Sequence, residues 1–129
     1  MIRRAQCCCG ECVVEVEGDP VMNGICHCDD CKRRTGSAFG WSSYFRDDQV
    51  KRCSGKAQTY KVVATAAERF FCVRCGSTLY WRSDTFMAGH LGVSGGSFVQ
   101  SPLPEPAFAS AYSQRCAWME APAHWHTAG

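Results

Sequence analysis

No long apolar run occurs anywhere in this chain. Nothing approaches the roughly 20 residues that a membrane-spanning helix needs. The start is basic at Arg3 and Arg4, but Ala5-Gln6-Cys7-Cys8-Cys9-Gly10 follows where an export signal would place its apolar core. A lipid anchor on Cys7 would need the same missing stretch. Neither membrane attachment nor export is expected, and the cytoplasm is the expected location. A strong charge excess is also lacking. The formal net charge is +2, too small for the electrostatic footprint of a nucleic-acid binder, and the aromatics are not interleaved with Lys or Arg beyond Tyr60-Lys61. The only dense basic run is Lys32-Arg33-Arg34.

Helical periodicity is scarce as well. Apart from a turn around 29–34, no segment sustains a 3.6-residue apolar repeat, and no internal repeat or low-complexity tract is visible. What remains is a chain of 129 residues, 46% hydrophobic, long enough for one domain over 1–129 with a modest core. Short alternating or aromatic-rich runs separated by turn signals predict strands at 12–17, 38–46, 58–63, 68–73, 78–82, 86–93 and 107–112. Residues 26–31 read as a cysteine-rich loop, and 119–129 as a loosely ordered tail. The fold class expected is all-β, made of several small antiparallel sheets.

Cysteine is the residue in excess: there are eleven. With no export signal, in a compartment that keeps thiols reduced, metal binding is a better reading than a disulfide framework. Three tight groups, Cys7-Cys8-Cys9-Gly10, Cys26-His27-Cys28-Asp29-Asp30-Cys31 and Cys72-Val73-Arg74-Cys75-Gly76, hold seven candidate ligands, Cys8 being the spacer of the first motif read as C-x-C-G. Zinc takes about four ligands in a tetrahedron with Zn–S near 2.3 Å, and two cysteines one or two residues apart reach one ion from a single tight turn. A glycine after the second cysteine accepts a positive φ and turns backbone amides toward the sulfurs. A closed structural site uses four protein ligands, while a working site leaves one position open. Seven cysteines divide as four plus three: Cys7, Cys9, Cys72 and Cys75 around one zinc, and Cys26, Cys28 and Cys31 around a second. Spacing alone leaves a rival open. Cys28, Cys31, Cys72 and Cys75 would make an ordinary zinc ribbon, and with it a non-catalytic protein-interaction module.

Three motifs taken together, C-x-C-G at 7–10, Cys-His-Cys-x-x-Cys-Lys-Arg-x-x-Gly at 26–36 and Phe-Cys-x-x-Cys-Gly-Ser at 71–77, resemble the glutathione-dependent formaldehyde-activating (GFA, CENP-V/GFA) family. Gly18 to Pro20 and the pair Ala117-Trp118 are similar too. The resemblance implies an Mss4-like fold of several coiled antiparallel sheets stapled by zinc. It also implies the four-plus-three division, with Cys7, Cys9, Cys72 and Cys75 structural and Cys26, Cys28 and Cys31 catalytic through their zinc. The activity implied is that of a carbon–sulfur lyase acting on a small thiol adduct, S-(hydroxymethyl)glutathione being the family's example.

A zinc held by three thiolates carries a net charge of about −1 and suits an incoming thiol better than water as its fourth ligand. Lys32, Arg33 and Arg34 are candidates to hold a substrate carboxylate such as those of glutathione. Asp29 and Asp30 read as caps at a helix start. His27 reads as packing more than as a proton relay, and His90 as a core or rim residue more than one facing the open zinc. Cys8, Cys12, Cys53 and Cys116 are expected to be buried structural thiols. Among Trp41, Tyr44, Phe45, Tyr80 and Trp81, one or two are expected to line a pocket beside the metal.

Overall fold

The structure, a computed structural model, describes residues 1–129. Eleven strands form two sheets. The first sheet holds β1 (Ile2–Gln6), β2 (Val13–Glu17) and β5 (Val50–Ser54), in the order β1-β2-β5. The second holds β3 (Met22–Cys26), β4 (Gly40–Arg46), β6 (Ala57–Tyr60), β7 (Glu68–Cys72), β8 (Thr78–Arg82), β9 (His90–Ser94), β10 (Phe108–Ser110) and β11 (His126–Thr127). Its order is β11-β10-β3-β4-β9-β8-β7-β6. The single α-helix, α1 (Asp29–Thr35), connects β3 to β4. The β-rich class with several sheets agrees with the sequence reading, and antiparallel pairing dominates. Only β10 pairs in parallel, with β3 on one side and β11 on the other.

Alternation builds the core. Val14 and Val16 of β2, Phe45 of β4, Leu79 of β8, and Leu91 and Val93 of β9 turn inward and meet Phe98 and Leu103 from the later loops. Each such side chain contributes about 1.5–3 kcal/mol by leaving water. Cys7, Cys12 and Cys72 lie in the same cluster, so one cysteine group is continuous with the hydrophobic core.

Four strands lie where the sequence pattern showed none. In β1 the inward positions are Arg3 and Ala5, with Ile2 exposed, which inverts the expected polarity. Arg3 is buried because its guanidinium donates to the Gly18 carbonyl at 2.8 Å and the Pro102 carbonyl at 3.3 Å, and pairs with Asp19. Strand β3 carries Asn23 and Gly24, both poor strand formers. Gly24 is required there, because a Cβ would lie 2.3 Å from the Phe108 ring. Strand β5 is largely exposed and has no apolar alternation. In the last eleven residues, β11 sits beside β10, and Trp125 and His124 both donate to the Glu105 carboxylate.

Candidate functional site

Two groups of sulfurs converge. In the first, the sulfurs of Cys7, Cys9, Cys72 and Cys75 all lie within 4.8 Å of one another. Cys7 and Cys9 come from the loop after β1. Cys72 ends β7 and Cys75 follows in the turn to β8, so the group joins the three-stranded sheet to the eight-stranded one. Both turns are closed by the glycine: the Gly10 amide donates to the Cys7 carbonyl and the Gly76 amide to the Cys72 carbonyl, with φ of 84° and 80°. An L side chain is strained at such angles. Sulfur separations of 3.7 Å, from Cys7 to Cys9 and from Cys9 to Cys72, match the edge of about 3.8 Å for a tetrahedron of sulfurs some 2.3 Å from its centre. Backbone amides aim at these sulfurs, Cys12 N–H at Cys7 Sγ (3.2 Å) and Arg74 N–H at Cys72 Sγ (3.3 Å). Ser77, through its hydroxyl and its amide, holds the Cys75 thiol down to about 5. The residues fit a closed four-thiolate metal site.

The second group is Cys26, Cys28 and Cys31, again within 4.8 Å, with no fourth His, Cys, Asp or Glu atom among them. It is local. Cys26 ends β3, Cys28 is the N-cap of α1, and Cys31 lies in the first helical turn. The cap is made by sulfur: Cys28 Sγ accepts from the Cys31 amide at 3.3 Å. Cys26 and Cys31 compete for one negative charge. A hydrogen bond from the Cys31 thiol, helped by the Ser110 hydroxyl and by Cys28, holds Cys26 down to about 4 against burial. The Cys26 thiolate in turn pushes Cys31 well above the ordinary thiol range. A divalent ion would relieve that repulsion, so the donor set fits a three-thiolate site open on one side.

Cys26 and Cys31 form part of the wall of a cavity of about 370 Å³. Its floor follows from strand register. Met22, Gly24 and Cys26 of β3 lie opposite Tyr44, Ser42 and Gly40 of β4, while Phe108 and Ser110 of β10 lie beside Gly24 and Cys26. Met22, Ile25, Tyr44, Phe86 and Phe108 make most of the lining, and Ser42 and Ser110 are among its few polar side chains. Phe86 reaches the rim from the loop between β8 and β9 and meets Tyr44 edge-on at 5.6 Å. The Trp81 indole N–H donates to the Tyr44 hydroxyl oxygen at 3.0 Å, which leaves the phenol proton for an acceptor in the cavity. Burial pushes the Tyr44 phenol upward, so it stays protonated at neutral pH.

A sequence profile of the family described as glutathione-dependent formaldehyde-activating enzyme matches residues 2–115. The chain belongs to that family. All seven cysteines of the two groups lie inside the matched range. A crystal structure of a Rhodobacter sphaeroides protein resembles this GFA chain with a TM-score of 0.57 at 22% identity, covering 75% of this chain and 88% of the other. At that identity the likeness concerns the fold. No curated protein matches the chain significantly.

Within this GFA domain the zinc-ribbon partition is set aside. Cys28 and Cys31 do not join Cys72 and Cys75, which gather with Cys7 and Cys9 instead. The basic run is dispersed. Lys32 Nζ donates to the Gln114 carbonyl at 2.8 Å and pairs with Asp29, Arg34 lies over the Trp81 ring at 4.7 Å, and Arg33 is exposed. None of the three lines the cavity. Asp29 and Asp30 are first-turn acids and not the cap, and Asp30 pairs with Arg69. His27 is fully buried between the edges of Phe39 and Tyr112, and neither ring nitrogen has a hydrogen-bond partner. Burial lowers its pKa, so it packs as a neutral ring. His90 contacts the Ala88 carbonyl and stands outside the cavity lining. Of the surplus thiols only Cys12 is buried; Cys8 and Cys53 are exposed. Burial, with the Cys72 sulfur beside it, pushes Cys12 up to about 12, so it remains a thiol donating to the Lys56 carbonyl.

Sequence reasoning included Tyr44 among the possible pocket aromatics and did not find Met22, Phe86, Phe108, Ser42 or Ser110. The available signal was the Gly24–Phe108 pairing, which only the parallel β3–β10 register brings together.

Proposed function

We propose that this protein is a zinc-dependent enzyme of the carbon–sulfur lyase type, acting reversibly on the adduct of a small thiol and an aldehyde. The observation that carries the reading is the three-sulfur group, open on one side and set in the wall of an apolar cavity. Zinc bound there would supply a Lewis-acidic centre that favours a thiol ligand in its thiolate form. Cys26, Cys28 and Cys31 hold that centre, and Cys7, Cys9, Cys72 and Cys75 hold a second, structural zinc. The net reaction forms one C–S bond, opens the carbonyl π bond and moves the thiol proton onto the oxygen; the reverse releases thiol and aldehyde. Tyr44 donates a hydrogen bond to that oxygen, and Met22, Phe86 and Phe108 keep water from the reacting atoms. The family name supports glutathione and formaldehyde as the model pair. Reduced thiolates require a reducing compartment, which the cytoplasm provides.

The test is the rate at which a thiol and 13C-formaldehyde exchange with their hemithioacetal, followed by NMR. The zinc-loaded protein is expected to accelerate exchange. Cys28→Ala is expected to abolish the acceleration, and Tyr44→Phe to reduce it roughly tenfold to a hundredfold. Exchange at the uncatalysed rate for every thiol tried would favour a non-catalytic interaction module.

A further inference from the structure

Nothing in the cavity is built to receive a carboxylate. Its ten lining residues include no Lys, Arg or His. Most basic side chains on α1 and the strands around it are already engaged, and Arg33 is exposed on the helix outside the cavity lining. Lys32 is held by Gln114 and Asp29, and Arg34 covers Trp81. Arg115 stacks on Tyr112 at 4.1 Å and donates to the Tyr112 and Met119 carbonyls. Arg69 and Arg82 pair with Asp30 and Asp47. No positive side chain offsets the three-sulfur group in its wall, which with a zinc ion bound would carry a net charge of about −1. An anionic group placed inside would lose its hydration with no partner in return and would meet like charge.

What the cavity does offer is aromatic and aliphatic surface. Phe108 lies across Gly24, Tyr44 and Phe86 stand edge to face, and Met22 and Ile25 complete the wall. Phe86 is 51% exposed, a large apolar side chain left in water at the mouth of the cavity, where a ligand would cover it. About 370 Å³ is at the small end of ligand pockets, and an apolar lining with one or two orienting hydroxyls is their usual composition.

We propose that this site selects adducts of compact, uncharged, apolar thiols of about the size of benzyl mercaptan, and discriminates against the tripeptide glutathione with its two carboxylates and its ammonium group. The selectivity rests on the assignment of Cys26, Cys28 and Cys31 as the thiol-activating zinc site, and its test separates the two. Cobalt is loaded in place of zinc, and the sulfur-to-metal absorption is titrated with benzyl mercaptan, 2-mercaptoethanol and glutathione. Benzyl mercaptan is expected to bind tightest, with glutathione about thirtyfold weaker or more. Phe86→Ala, a rim change in a half-exposed side chain, is expected to weaken benzyl mercaptan five- to tenfold and to leave glutathione within about twofold.

Glutathione binding as tightly as benzyl mercaptan would overturn the selectivity while leaving the zinc–thiol site standing. If no thiol alters the spectrum, the zinc–thiol site falls, and with it the selectivity for thiol adducts. Toluene, titrated against the NMR signals of Phe86, Phe108 and the Met22 methyl, then tests the apolar cavity without a sulfur ligand. Shifts confined to those residues uphold the cavity as an apolar ligand site, and their absence overturns it.

Discussion

The two cysteine groups use the same donor and differ in everything around it. Cys7, Cys9, Cys72 and Cys75 bring together positions more than 60 residues apart, from two sheets, with Cys7 and Cys72 inside the hydrophobic core. Cys26, Cys28 and Cys31 span six residues of one strand–helix junction, all three are half-buried, and two of them face a cavity. The first arrangement closes a long loop and anchors a core. The second fixes only local backbone, and Cys26 and Cys31 border space for another molecule. On the proposed reading, the long-range group stabilises the fold and the local group does the work.

The largest expected effect comes from breaking the long-range group. Zinc bound to a structural site contributes on the order of 10 kcal/mol of folding free energy, comparable with the whole stability of a small domain. Cys75→Ala should lose cooperative thermal unfolding, seen by circular dichroism, or fail to accumulate as soluble protein. Next comes Gly24→Ala, whose Cβ would displace the Phe108 ring. It is expected to cost about 1–3 kcal/mol, read from the shift in the urea midpoint, and to abolish binding of benzyl mercaptan. Cys31→Ala should be milder for the fold, with a thermal midpoint within a few degrees of wild type, while thiol binding disappears. Equal and severe damage from Cys31→Ala and Cys75→Ala would erase the distinction between the groups. The smallest effect is expected at Cys53→Ser, on an exposed strand outside both groups: stability within about 0.5 kcal/mol and unchanged metal content.

Much of this was legible in the sequence because cysteine spacing is a geometric statement. The C-x-C-G and C-x-x-C-G turns specify their own backbone, and Gly10 and Gly76 have the positive φ that the motif requires. Alternating valines and paired turn signals marked β2, and aromatic density marked β4. The strands that escaped are those whose reason for existing lies elsewhere in the chain. Arg3 sits inward only because Gly18, Asp19 and Pro102 receive it, and Gly24 occupies a strand only because Phe108 fills its face. The cavity was hidden for the same reason. Its wall is assembled by the parallel docking of β10 on β3 and by a loop residue, Phe86, neither of which leaves a local pattern. The basic run 32–34 shows the opposite case: three charges adjacent in sequence are dispersed by the helix, and none lines the cavity.

The most direct test of the division between the two groups is metal content per folded chain. Wild type and Cys28→Ala are purified with zinc present and measured by elemental analysis alongside a thermal melt. Two zinc ions per wild-type chain, and one per Cys28→Ala chain that still melts cooperatively, are expected. A Cys28→Ala protein that is metal-free and unfolded would show that both groups serve the fold, and the proposed working site would be lost.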